Sequence, residues 1–156
     1  MRIGFITALV ILALGTSTRA AIYQLGGLRI AEPWSRSAAA HTTGVGFVTL
    51  TNIGKVVETL TAIETPAAAR VEIHKTSMSA GIMSMKRLDH GLMLRPGESV
   101  SFAPGGYHLM LVDLNKPLKA GDTFPATLIF ASGNRIRVVF PVKAMGSVNT
   151  DHMSRH

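Results

Sequence analysis

The chain has 156 residues, 47% hydrophobic and 16% charged, a balance that excludes a disordered chain and predicts one ordinary folded domain. Its net charge of +7 comes from scattered Lys and Arg with no run longer than Lys86-Arg87, so no nucleic-acid groove is expected, because phosphate binding needs clustered cations. There are no cysteines and eight methionines; thiolate nucleophiles, Cys zinc sites, iron-sulfur clusters and the Cys ligand of blue copper are excluded, and soft-metal chemistry falls to Met and His.

In chain order, Met1-Arg2 precedes an apolar run from Ile3 to Leu14, which ends in Gly15-Thr16-Ser17-Thr18-Arg19-Ala20. Small residues at Thr18 and Ala20 match a signal peptidase site, so residues 1–20 read as a signal peptide cleaved after Ala20. The run is shorter than the ~20 residues of a bilayer crossing, and a retained anchor is the lesser reading. The chain is therefore expected to be exported to a periplasm, with no stable membrane insertion after leader cleavage.

Residues 21–145 read as the folded domain. Short β-type runs are predicted at 28–30, 44–51, 58–63, 70–76, 82–88, 92–94, 99–102, 107–112, 123–130 and 135–142, which points to an all-β sandwich or barrel. Turn groups such as Asn52-Ile53-Gly54, Arg95-Pro96-Gly97, Pro104-Gly105-Gly106 and Ser132-Gly133-Asn134 separate them. Residues 37–41 are expected to form one helical turn, and 66–69 a short 3₁₀ turn. Trp34 reads as a core anchor, while Met93 and Met145 read as packing residues and His41 and His90 as solvated loop residues. Residues 146–156 read as a flexible, polar tail that contains His and Met.

Two strands place His with Met. A hairpin with Ser79-Ala80 at its tip would set His74 opposite Met85, Thr76 opposite Met83 and Met78 opposite Gly81, putting His74, Met78, Met83 and Met85 on one face. In the second strand Leu109 and Leu111 share the core face, leaving His108 and Met110 together on the other. Imidazole nitrogen and thioether sulfur suit Cu(I), whereas Zn favours Cys, His and carboxylate and Mg or Ca favours oxygen. The competing reading is that these methionines merely fill gaps in a core. In the tail, His152, Met153 and His156 could form an auxiliary site whose imidazoles favour Cu(II), or an ordinary polar terminus. No Ser/His/Asp arrangement stands out, so no enzyme is expected.

At these residues the sequence resembles the periplasmic Cu(A) copper chaperone family, PCuAC, whose mark is a His, a Met after about ten residues and a His-x-Met after about 21 more. His74 and Met85 are separated by 10 residues and His108-Leu109-Met110 closes the motif, although 22 residues precede it here. One additional residue in the turn Asp89-His90-Gly91 would account for the difference. The resemblance implies a cupredoxin-like Greek-key β-sandwich or barrel that binds Cu(I) through His74, Met85, His108 and Met110. It also implies copper delivery towards cytochrome c oxidase assembly, with a copper-accepting oxidase subunit and a thioredoxin-like copper protein as partners. Periplasmic copper sequestration or resistance, and an exported β-sandwich interaction module without metal, are the alternatives.

Overall fold

The computed structural model describes residues 20–146, so the leader up to Arg19 and the tail residues His152, Met153 and His156 lie outside the described part. Among the described residues there are eleven strands and no helix: β1 (Ile22–Leu25), β2 (Leu28–Arg36), β3 (Gly44–Asn52), β4 (Glu58–Glu64), β5 (Ala68–Ser79), β6 (Ile82–Arg87), β7 (Leu92–Leu94), β8 (Ser99–Ser101), β9 (Tyr107–Leu114), β10 (Thr123–Phe130) and β11 (Arg135–Lys143). They follow one hydrogen-bonded path, β6-β5-β9-β3-β2-β11-β10-β4-β7, with β1 attached to β2 and β8 to β3. The path is antiparallel except for the short parallel pairing of β11 with β2 at Val142 and Lys143.

Alternation of apolar and polar residues builds these strands. In β11 the even positions Ile136, Val138, Phe140 and Val142 are buried while Arg135, Arg137 and Val139 face out, the period-two signature of a sheet with one face on a core. Leu50, Leu60, Leu94, Leu109, Leu111, Leu128 and Phe130 complete that interior, each at most 2% exposed. Gly91 allows the chain to turn from β6 towards β7: its φ is +78°, and a Cβ there would lie 2.2 Å from the Leu60 carbonyl oxygen. A side chain at that position would meet both left-handed backbone strain and a clash with fixed backbone.

Trp34 is buried as expected, with its ring centroid 4.5 Å from that of Phe47. Residues 37–41 make no helical turn. Instead Ala38 bridges to Leu118, so each of their backbones satisfies the other. Pro66-Ala67 is a plain turn into β5, whose pairing with β9 already begins at Ala68.

The β5-β6 register differs from the expected one by two residues. The tip is Ala80-Gly81, with φ of 50° and 77°, which are the two left-handed central positions of the turn that matches hairpin twist. His74 therefore faces Arg87, Thr76 faces Met85 and Met78 faces Met83. Because side-chain direction repeats every two residues, a shift of two leaves His74, Met78, Met83 and Met85 on their shared face.

Candidate metal centre

The two histidines meet at the β5-β9 ladder. His74 and His108 are directly opposite in the register, and their ring centroids are 5.7 Å apart. His108 points away from Leu109 and Leu111, yet it is only 6% exposed. Trp34 and Phe47 stand on the same face: Phe47 follows Gly46, which pairs with Leu109, so it continues the β3-β9 register alongside His108. An aromatic row thus crosses β2, β3, β9 and β5 on the face that carries the histidines, with the Arg36 guanidinium over both Phe47 and Trp34, 5.5 Å and 5.9 Å from their ring centroids.

Hydrogen bonds decide which nitrogen of each ring stays bare. His74 Nε2 lies 2.9 Å from Glu72 Oε2; an ionised carboxylate only accepts, so Nε2 carries the proton and Nδ1 of the neutral ring holds a lone pair. That Nδ1 is buried and has no hydrogen-bond partner. Leaving such an atom unsatisfied costs about 1–3 kcal/mol, which a metal ion bound there would offset. His108 has the opposite arrangement, since Nδ1 donates to the Gly106 carbonyl at 3.1 Å and frees Nε2. Pairing one ring nitrogen to a carboxylate or a backbone carbonyl while the other faces the ion is the usual support for a ligating imidazole.

Glu72 is a functional candidate that the sequence reading does not single out. Its carboxylate accepts from Arg70 Nε at 2.8 Å and also touches Arg87 at 3.4 Å. The Arg70 hydrogen bond first and the His74 bond second pull its pKa from 4.5 to about 2. The available signal is Glu72-Ile73-His74, because residues two apart on a strand share a face.

The thioethers flank the imidazole pair from opposite ends. Met110 is opposite Glu72 and Met85 is opposite Thr76, so each lies one diagonal step, ~7–8 Å, from His74. Met110 is half-buried beside Val45, whereas Met85 is 56% exposed. Both thioethers must lean over the imidazoles to share an ion with them, and three rotatable bonds give each that reach. The 22 residues between Met85 and His108 leave for β7 at the far end of the sheet path and return through β8, so one residue more or less can be absorbed in turns. Among the described residues no three His, Cys, Asp or Glu side chains cluster as a metal cage, so an ion shared by the two imidazoles would need the thioethers to complete its coordination.

The other candidates separate from this face. Met93 does not pack: it is 54% exposed between buried Leu92 and Leu94, on the strand at the opposite end of the path. Met145 is 75% exposed and does not pack either. His41 is exposed, 3.5 Å from Asp113, and His90 is an exposed turn residue, as expected.

Comparison with known proteins extends this picture. The chain is 29% identical over 129 residues to lipoprotein Lxx21020 of Leifsonia xyli subsp. xyli, covering 83% of this chain and 77% of that one. Its fold is similar to that of the apo PmoF2 PCuAC domain, with a TM-score of 0.71, 24% identity and coverage of 83% and 99%. The copper-bound PCuAC domain of PmoF2 gives 0.68 at 26% identity, covering 80% and 98%. The solution structure of CuI-DR1885 from Deinococcus radiodurans gives 0.57 at 28% identity, covering 71% and 76%. The fold is thus the cupredoxin-like β fold that the sequence led one to expect. With the lipoprotein LpqE-like family pattern matching residues 28–142, the chain belongs to the LpqE-like family, which is the PCuAC family.

Proposed function

We propose that the chain is a periplasmic metallochaperone that carries Cu(I) on His74, Met85, His108 and Met110 and delivers it towards cytochrome c oxidase assembly. The observation that carries the reading is the facing pair His74 and His108, each with one nitrogen tied to an acceptor and the other bare, with one thioether on either side. The copper in the bound PmoF2 domain and in CuI-DR1885 supports copper as the cargo. The lipoprotein name of the family supports export.

Two imidazoles and two thioethers fit a soft monovalent ion that tolerates low coordination. Glu72 and Gly106 hold the rings, so little ordering remains for the ion to impose. Met85 sits on the exposed edge and can leave first, opening a coordination position to an incoming donor. Transfer is then ligand exchange with a copper-accepting oxidase subunit, or with a thioredoxin-like copper protein. It needs no turnover, in line with a carrier and not an enzyme. His152, Met153 and His156 would offer Cu(II) a separate, nitrogen-richer site.

Competition of the purified chain with a Cu(I) chelator tests the cargo. The expected result is one tightly held ion per chain, lost in the double variant His108→Ala, Met110→Ala; unchanged binding in that variant rejects the ligand set. Delivery is tested by the copper content of the oxidase with and without the gene. A full oxidase complement in its absence would favour sequestration over delivery.

A further inference from the structure

The β5-β6 hairpin extends beyond the core as a two-stranded ribbon, exposed from Ser77 to Arg87. One face carries Thr76, Met78, Met83 and Met85; the other carries Lys75, Ser77, Ser79, Ser84 and Lys86, with Ile82 beside the tip. Met78 and Met83 are directly opposite each other and are 67% and 66% exposed. They fill no core, so packing does not explain them. A free-standing ribbon is better served by Thr or other polar cross-strand pairs, which stabilise it without exposing apolar surface.

Sulfur is what these positions share with the site at the root of the hairpin. Opposed residues have Cβ atoms about 4.5–5.5 Å apart, close enough for two flexible thioethers to grip one ion. Met85 is one diagonal step from Met78 and one from His74, so the donors run in an unbroken row from the tip to the imidazoles. No charged side chain interrupts that face between Met78 and His74; Arg87, at its root, is held by Asp89 and Glu72.

We infer that Met78 and Met83 form a second, weaker Cu(I) site at the hairpin tip, which exchanges the ion with the His74-His108 site by way of Met85. The inference rests on the copper reading of the imidazole site. The ion moves as Cu(I) throughout, one coordinate bond forming as another breaks. Two thioethers alone bind less tightly than a set that includes two imidazoles, so the tip holds the ion only in passage.

The test uses the full chain with ¹³C-labelled Met methyl groups, titrated anaerobically with Cu(I). The first equivalent is expected to shift the Met85 and Met110 methyls, and further Cu(I) to shift those of Met78 and Met83 with at least tenfold weaker apparent affinity. In the double variant Met78→Leu, Met83→Leu, which keeps the apolar surface and removes the sulfur, the tight site should keep its affinity while Cu(I) release to a chelator slows several-fold. Still methyls at Met78 and Met83 in excess Cu(I), with Met85 and Met110 responding, would overturn the tip site and leave the carrier reading intact. Wild-type release rates in the Leu variant would overturn the exchange route. No response at either Met85 or Met110 would sink the carrier reading itself.

Discussion

Glu72→Gln removes one charge from the candidate site while keeping the shape of the side chain. The carboxylate only accepts, and its 2.9 Å bond to His74 Nε2 is the constraint that leaves Nδ1 as the lone-pair nitrogen. An amide can present either its oxygen or its NH₂ group to the ring, so the variant no longer fixes the tautomer. Losing a partner that orients a ligating His typically weakens metal binding 10–100-fold, about 1.4–2.7 kcal/mol. The fold should survive, because Arg70 and Arg87 are exposed and remain solvated without their carboxylate partner. Two measurements check this: chelator competition for Cu(I), and long-range ¹H-¹⁵N correlation of the imidazoles without metal. Wild-type His74 should show a protonated Nε2 and a bare Nδ1, and His108 the reverse; in Glu72→Gln the His74 signals should move towards a tautomer mixture while His108 stays fixed. If Glu72→Gln binds Cu(I) within twofold of wild type while His74→Ala abolishes binding, the carboxylate does not support the ligand and the reasoning fails.

The two thioethers give a paired prediction. Met110→Leu and Met85→Leu should each lower Cu(I) affinity by at least tenfold while thermal denaturation changes little, since Met-to-Leu exchange usually costs under about 1.5 kcal/mol even in a core; wild-type affinity in Met85→Leu would remove that residue from the ligand set. Gly91→Ala should destabilise the chain by roughly 1–3 kcal/mol or more in a denaturant titration, from its positive φ and the clash with the Leu60 carbonyl, and a neutral outcome would show that the turn relaxes freely. Without metal, the stabilisation tied to the depressed Glu72 pKa is complete above 4.5 and is lost as pH falls towards 2; wild-type stability should therefore fall more steeply than that of Glu72→Gln across that window. Parallel curves for the two proteins would mean that the Arg70 and His74 bonds do not favour the ionised form.

Alternation makes most strands legible in the sequence, because each buries one face: Ile136, Val138, Phe140 and Val142 spell out β11 by their spacing alone. It fails at β1, whose residues are largely exposed and carry no inward set, and it stops β2 at Ile30 although the strand continues to Arg36 past an irregular pairing. The hairpin register turns on a single residue. Gly81 takes the second left-handed position of the turn, with Ala80 accepting the first, whereas a tip at Ser79-Ala80 lies one position too early. Parity rescues the face, so the His and Met donors stay together despite the different partners. Met93 shows the converse, since alternation alone turns the central residue of Leu92-Met93-Leu94 away from two buried leucines. Phe47 depends on a cross-strand neighbour brought from β2, information that no local pattern contains, whereas Glu72 acts on His74 of its own strand, two residues on.

The order of burial along the donor row bears on how such a site would work. His108 is buried, His74 half-buried, Met85 mostly exposed, and Met78 and Met83 more exposed still. Nitrogen donors, each held by a hydrogen bond to a fixed acceptor, are therefore the deep end, and unrestrained sulfurs are the outer end. A ligand held in place loses little entropy when it binds, while a free thioether gives up rotamer freedom worth up to about 1.5–2 kcal/mol for a side chain of this kind. For an ion held there, the gradient would favour the imidazole end at equilibrium and would leave the most readily detached donors on the exposed side. A closed cage of four equally restrained donors would hold the ion as well, but it would have no outer ligand to surrender first.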